Sequence, residues 1–476
     1  MSDELFSYNE IDFILPAHKF KLRFSYITKE GLPFIREFVL RLLHVCALEP
    51  LELATYFNFS EREADEAITD LLQRGEVQYD DNGKIRLTPQ SERYFPSIGS
   101  SPEISTLEEA QAQLIFELGA FNCLGLSHKY PREEWGHGIE LTIDNEIKAT
   151  SEQEASKHFQ KQFYKILDDG YITNIPREGK DRARIYSMGS VKKIGSVPHR
   201  LTVKFSIDAD GFPAERNDFD SLENSEAAHQ SITTSLSTFA KRDNLTELIQ
   251  SMDLLGDTWT SQLFNQVSID VRTLIINRTK SRLGDDTGVP ILGQLYSEKN
   301  WMNIKENIER ILPKIKNSAT GKKLDIVWLA PSDRFWRTSY RLPESAISFV
   351  GFVQNLKKEQ SINAPIIYLP VHDKHDNQWN RDLNGQSGLS NITSNIHGLL
   401  EGFLNGNVEV IVVENNFVAV CYHVVKADSL PVTMPLGFLS TNLSIINSVQ
   451  KVVFEYVKGM SSFEEPNSIG VLKSNK

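Results

Sequence analysis

The chain has 476 residues, too many for one ordinary core, and a length prior suggests roughly three domains. Hydrophobic residues make up 40% and charged residues 24%, which places it among folded globular proteins and confines expected disorder to linkers and the tail. A net charge of −12 excludes a chain-wide surface for nucleic acid or anionic membrane, because such binding is driven by neutralising phosphates; only a local basic patch remains open.

Residues 1–97 are expected to form the first domain. A helical run from Leu32 to Leu48 sets Phe34, Phe38, Leu40, Leu43 and Val45 toward one side, and Glu49-Pro50 breaks it. Leu51 to Phe57 is a short second helix. Ser60 then caps a third, with Glu63 as its capping-box partner, and Ala64, Ala67, Ile68, Leu71 and Leu72 recur at helical spacing. Gly75 stops it, and two short strands flank Asn82-Gly83, a strong hairpin signal. Helix, helix–turn–helix and hairpin in this order resemble the winged-helix domains of bacterial regulators and complex subunits. The other reading is a helical domain followed by an unrelated hairpin.

Residues 105–205 read as a second, decorated module of the same kind. Thr106 to Cys123 has helical spacing in Leu107, Ala110, Leu114, Ile115, Leu118 and Phe121. After a polar insert, Ser151 and Glu154 repeat the capping-box pattern ahead of a helix that buries Ala155, Phe159, Phe163, Ile166 and Leu167. Tyr171–Ile175 and Arg184–Met188 are expected as wing strands. Residues 206–228 are acidic and turn-rich, a linker. Residues 229–460 alternate apolar runs with amphipathic stretches: strands at 267–276, 324–329, 364–371 and two within 408–423, and helices at 301–315, 345–358, 391–404 and 443–457, the last running into strand. The fold class expected is therefore α+β and multidomain, with one or two N-terminal winged helices and a C-terminal α/β domain around a largely buried sheet. Residues 461–476 are expected to be a flexible tail.

Charge separates the two N-terminal modules. The third helix, Glu61 to Arg74, holds five acids and two bases, net −3. A helix that reads bases should avoid carboxylates near phosphate. Glu61, Asp65 and Glu66 are therefore assigned to protein contact, with DNA contact or a plain solvated face as alternatives, while Lys84 and Arg86 on the wing remain within reach of phosphate. Between 151 and 200 ten bases face six acids, net +4. Lys157, Lys161 and Lys165 are spaced by four and share one helix face, followed by Arg177, Lys180, Arg182 and Arg184. These residues are the expected contacts to nucleic-acid backbone; a solvated helix face with a basic loop is the alternative.

His372-Asp373-Lys374-His375-Asp376 follows an expected strand, where α/β folds present sites. In one extended loop these groups do not converge on a metal, so no metal site is assigned. His372-x-Lys374 also resembles the HxK start of the phospholipase-D-like family, but the required Asp falls on Trp379. The stretch Val408 to Tyr422 resembles the strand–turn–strand that bears the motif in that family, with Gly437 to Asn442 echoing its GSxN segment. On that alignment the His, Lys and Asp positions hold Val408, Val410 and Asn415. The resemblance implies a degenerate domain used for binding, since valine is no nucleophile. No GxxxxGK[ST], HExxH, GxSxG or GxGxxG occurs. His128, Glu133, Glu134 and His137 lie together in the polar insert and read as a surface loop. Cys46, Cys123 and Cys421 form no disulfide framework or CxxC pair and are each expected buried, in a reducing compartment. No signal peptide or membrane-length apolar run is present, so the expected location is the cytoplasm, away from membranes.

The leading expectation is a non-enzymatic subunit of a multi-protein complex, without cofactors, that touches DNA backbone. The resemblance implies bacterial multi-gene systems acting on DNA, antiviral defence among them. One rival is a divergent nuclease or phosphodiesterase using His372 and Lys374. The other is a ligand-sensing transcription regulator.

Overall fold

A computed structural model describes residues 5–30, 34–97, 100, 102, 104–129, 138–173, 175–177, 182–214, 216, 226–238, 242–264, 269–315, 323–354, 362–384, 388–459 and 466–472. These form a mixed α/β fold with three sheets.

The chain opens on β1 (Phe6–Glu30), whose 25 residues reach on the order of 80 Å at ~3.3 Å each. Its sequence dictates two regimes. Ile11 to Leu15 are all buried, so this part is covered on both faces. From Lys19 onward apolar and polar residues alternate: Phe20, Leu22, Phe24 and Tyr26 point into a core, while Arg23 faces solvent. Although β1 lies within 1–97, it does not pack with the helices that follow. The strand alternation gives it a sheet to join instead.

Those helices are α1 (Phe34–Val45), α2 (Pro50–Phe57) and α3 (Glu61–Gln73), followed by the hairpin β2 (Val77–Tyr79) and β3 (Ile85–Leu87) and the short α4 (Pro89–Glu92). Asn58, left-handed at φ 56°, turns the chain between α2 and α3. Ser60 caps α3: its backbone N–H donates to the Glu63 carboxylate at 2.9 Å, and its hydroxyl accepts from the Glu63 N–H at 3.4 Å. Leu40, Leu43, Leu53, Ile68, Leu71, Val77 and Ile85 close a small core of their own. A bridge between Leu48 and Ile85 adds a third short β contact.

The next strand, β4 (Ile104–Glu117), pairs antiparallel with β1 from Glu30↔Ile104 to Ala17↔Glu117. The three-helix module is thus inserted at the tip of the β1–β4 pair. This corrects the expected helix at Thr106–Cys123. Ala112, Leu114 and Phe116 are buried at strand period, and fourteen residues of pairing to β1 override the helical spacing. Then come β5 (Cys123–Leu126), β6 (Ile139–Glu140), α5 (Asn145–Ala149), α6 (Ser151–Asp168) and β7 (Arg184–Ile207). β5 pairs β4, while β6 and β7 both pair β1. β7 runs along β1 from Phe6↔Ile207 to Ile27↔Arg184. Residues 171–173 form no strand, and Arg184–Met188 open a strand of 24 residues rather than a short wing. Residues 105–205 therefore supply a sheet with one covering helix, not a second helical module. The apolar face of α6 seals Phe20 and Phe24 through Phe159 and Phe163.

The expected linker begins inside β7, and Ala214 N–H donates back to Ser206 O at 2.8 Å. Residues 217–225 lie outside the described residues. Helices α7 (Glu226–Ser237), α8 (Leu245–Leu255), α9 (Thr258–Gln262) and α10 (Val271–Lys280) follow. The strand expected over 267–276 is the helix α10 from Val271, begun by Asp270, whose carboxylate accepts from the Thr273 N–H at 2.9 Å.

The remaining elements are β8 (Val289–Leu292), α11 (Glu298–Ile311), β9 (Ile326–Leu329), α12 (Arg341–Gly351), β10 (Ile366–Val371), α13 (Asn380–Asn384), β11 (Ile396–Leu400), β12 (Val408–Val413), β13 (Phe417–Val424), β14 (Met434–Ser440), α14 (Leu443–Lys458) and β15 (Ser468–Val471). The sheet order is β15-β11-β10-β9-β12-β13-β14-β8. β9, β10 and β11 are parallel neighbours; the other pairs are antiparallel. Every residue of β9, β12, β13 and β14 is buried, as the apolar runs require. Three expectations change here. Residues 391–404 hold a 3₁₀ turn and β11 rather than a helix, since β11 completes the parallel trio. Leu443–Lys458 is helical throughout, with Val449, Val453 and Val457 buried one turn apart. The tail is not wholly loose: β15 pairs antiparallel with β11 and covers that edge.

The two large sheets share one core, in which Phe13, Phe205, Val410, Val420 and Val453 belong to the same packed cluster. A buried carboxylate marks the seam. Asp12 accepts from Arg200 Nη1 at 2.9 Å, Thr202 Oγ1 at 2.5 Å and the Tyr340 N–H at 2.7 Å. No helix among the described residues is long and apolar enough to cross a membrane.

Candidate functional site

β9 is the switch point of the large sheet, with parallel β10 on one side and antiparallel β12 on the other. In open α/β sheets such a point leaves a crevice beyond the carboxyl ends of the strands. Here the crevice holds two cavities, of about 260 and 370 Å³, that share the wall Ser332, Asp333 and Arg334. The larger is also lined by Arg337, Gln378, Trp379 and Glu401. Arg337 donates to Gln378 O at 3.2 Å and lies 5.3 Å over the Trp379 ring.

The smaller cavity is lined by Asn405, Asn407, His423 and Thr433. The segment leading into its wall at Asn405 and Gly406 is strained. Leu404 and Asn405 both take left-handed backbone, at φ 46° and 58°. Gly406 follows at φ 75°, and a Cβ there would stand 2.9 Å from the Ser332 side chain, so only glycine lets the loop close on that wall. Backbone strain of this kind is held in place by its surroundings and clusters at working sites.

Beneath the cavity lies a buried polar cluster. His423 Nδ1 is 2.8 Å from Asp333 Oδ2, and its Nε2 is 3.5 Å from Glu409 Oε2. Glu409 Oε1 accepts from the indole N–H groups of Trp328 at 2.9 Å and Trp336 at 2.8 Å. Asp333 Oδ1 accepts from the Phe335 N–H at 3.0 Å and Thr433 Oγ1 at 3.2 Å. Burial by itself would lower the His423 imidazole; the bond to Asp333 and the closeness of Cys421 and Glu409 outweigh it and hold the group well above its ordinary value. Burial pushes the Cys421 thiol up to about 11. Glu409, Cys421 and His423 are the one trio among the described residues whose donor atoms are grouped closely enough to share a metal ion. None was assigned to a site from sequence, where all three fall within expected strands and Cys421 was expected only to be buried.

The residues that were singled out are scattered. His372 and Lys374 stand exposed on the loop after β10. His372 Nδ1 contacts Glu401 Oε2 at 2.7 Å. Asp373 and Asp376 accept from backbone N–H groups of their own loop, so this is a self-capped turn. Val408 and Val410 are buried in the core shared by the two sheets. Their neighbour Asn407 lines the crevice instead. Lys157, Lys161 and Lys165 are exposed on one face of α6, with Lys157 2.6 Å from Glu154. Arg182 makes two 2.9 Å bonds to Asp168 and stacks 4.6 Å over Tyr164. Arg177 donates to Ile172 O at 3.2 Å, and Arg184 is exposed at the start of β7. Arg86 is exposed and Lys84 half-buried on the hairpin. Lys180 lies outside the described residues, as do Glu133, Glu134 and His137. Glu61, Asp65 and Glu66 are exposed on α3. Its two bases are paired to its own acids, Arg62 with Glu66 at 3.1 Å and Arg74 with Asp70 at 2.8 Å. Of the cysteines, Cys421 is buried as expected, Cys123 is only half-buried, and Cys46 is exposed at the end of α1 because it lies beyond the last core turn.

No protein-family model matches this sequence, and neither does any curated protein. Geometry alone carries the functional reading.

Proposed function

We propose that the protein is a non-enzymatic assembly subunit that grips nucleic-acid backbone through the outer face of α6 and the start of β7, and docks a protein partner through the α1–β3 module, read as a winged helix. The observation that carries this reading is a basic strip. Lys161 and Lys165 are exposed one turn apart and have no ion-pair partner among the described residues, and the Arg182–Asp168 contact brings Arg184 to the same end of α6. Such a strip neutralises phosphates without reading bases.

Two features favour protein contact at the module. Ile35, Phe38, Val45, Leu51 and Tyr56 are all exposed there, a concentration of apolar side chains that solvent does not favour. The α3 surface beside them keeps its net negative charge, which suits a partner with a basic rim.

Fluorescence anisotropy with labelled duplex DNA tests the reading. Lys161→Glu with Lys165→Glu should weaken binding across all sequences. It should also flatten the slope of log affinity against log salt by about 2, at ~0.9 per phosphate contact. Glu61→Lys with Asp65→Lys should leave that slope intact. No wild-type binding at low salt, or equal loss in both variants, overturns the phosphate-binding strip.

A further inference from the structure

The side chains of Cys421 and His423 are two residues apart on β13 and so project from one face of it. In the antiparallel register Glu409 of β12 stands directly across from Cys421. One face of two adjoining strands therefore carries a carboxylate, a thiol and an imidazole, with one donor atom from each within 4.8 Å of the others. All three residues are at most 1% exposed.

His423 and Glu409 are each fixed from behind, and the Cys421 thiol donates to Gly293 O at 3.6 Å. Asp333 accepts from His423 Nδ1, which fixes the ring and aims Nε2 at Glu409, 3.5 Å away. Nε2 itself has no hydrogen-bond partner although it is fully enclosed. A carboxylate behind an imidazole whose other nitrogen is unsatisfied is the arrangement of metal-bound histidines. The two indoles hold Glu409 by Oε1, while Oε2 accepts from the Leu295 N–H at 3.3 Å and faces the imidazole with its remaining lone pair. Oxygen and nitrogen ligands at ~2.0–2.1 Å from a tetrahedral ion lie about 3.3 Å apart. The observed 3.5 Å between Oε2 and Nε2 meets that spacing with almost no movement.

We propose that Glu409, Cys421 and His423 bind a divalent transition metal of the zinc class. The sulfur, nitrogen and oxygen set suits zinc and rejects magnesium and calcium, which take oxygen ligands only. With the thiol and imidazolium protons displaced, a carboxylate, a thiolate and a neutral imidazole sum to the charge that a divalent cation cancels. Binding displaces two protons to solvent, one from the Cys421 thiol and one from His423 Nε2. The ion clamps the β12–β13 hairpin beneath the crevice and fixes His423, the one member of the trio that lines the cavity. This site is independent of the phosphate-binding strip.

Cobalt(II) is the probe. The full chain is stripped with a chelator and titrated with cobalt while near-ultraviolet absorbance is followed. A thiolate–cobalt charge-transfer band should appear, saturate at one ion per chain and be displaced by zinc. Cys421→Ser should abolish it, and Asp333→Asn should weaken the affinity about 10–100-fold. The chain has three cysteines, so Cys46→Ser with Cys123→Ser leaves Cys421 as the sole thiol. A band in that variant assigns the ligand even if Cys421→Ser fails to fold. No band in the wild type, or an unchanged band in folded Cys421→Ser, overturns the site and leaves a metal-free imidazolium held between two carboxylates.

Discussion

His18 shows how far single residues in this protein are defined by neighbours from distant parts of the chain. Its Nε2 is 2.8 Å from Lys193 Nζ and its Nδ1 3.2 Å from Ser151 Oγ. An ammonium only donates, so Nε2 accepts, and the ring is neutral with its proton on Nδ1. Burial, then the nearby charges of Lys193 and Lys148, lower its pKa from 6.5 to about 4. The unfolded chain takes up a proton near 6.5, whereas the folded one resists until about 4. Stability is therefore lost as pH falls through that window and regained as it rises. His18→Gln should flatten this acid-side loss, read as urea midpoints at both ends of the window; an unchanged profile rejects the assignment. The trio Glu409, Cys421 and His423 was partly legible at this scale. A turn over Glu414–Asn416 with Val413 opposite Phe417 forces Glu409 opposite Cys421. What sequence could not supply was Asp333, Trp328 and Trp336, which reach the cluster from β9 and the loop after it.

Among the elements, legibility followed the strength of the local signal. The hairpin β12–β13 and the helices α3, α6 and α11 carry clean periodicity. β1 carries it too, in the alternation Lys19-Phe20-Lys21-Leu22-Arg23-Phe24, although the residues before Leu32 were assigned no element. β4 failed because Leu107, Ala110, Leu114 and Leu118 fit a helix as well as a strand, and only pairing with β1 decides between them. β11 and β15 are too short to announce themselves and depend on neighbours in the sheet. The β13–β14 pair has a feature that sequence does not hint at. Gly437 lies so close to its partner strand that a Cβ would stand 2.0 Å from Val420 O. Gly437→Ala must therefore push the strands apart, at a cost of more than about 3 kcal/mol, the upper end of ordinary overpacking. Denaturant unfolding measures it, and a loss below 1 kcal/mol would show that the sheet relaxes around a methyl group.

For the whole molecule, the arrangement of cores predicts how it comes apart. The two large sheets bury side chains in one continuous cluster sealed by Asp12, while the α1–β3 module keeps a separate core at the tip of the β1–β4 pair. Calorimetry should resolve two transitions. Leu53→Ala, which empties a fully buried position in the module, should lower only the smaller one, by roughly 2–5 kcal/mol. Movement of both transitions together would mean that the module and that pair unfold as one. The sequence by itself determined the mixed α/β class, the three helices and hairpin of the module, the acidic α3 and the basic face of α6, since each follows from short-range periodicity, capping and charge. Only the tertiary structure decided that the module interrupts the β1–β4 pair, that residues 104–207 extend its sheet, and that Glu409, Cys421 and His423 meet Asp333 under a crevice. Those facts rest on pairings between residues far apart in the chain, and local pattern carries no record of which distant strand completes a sheet.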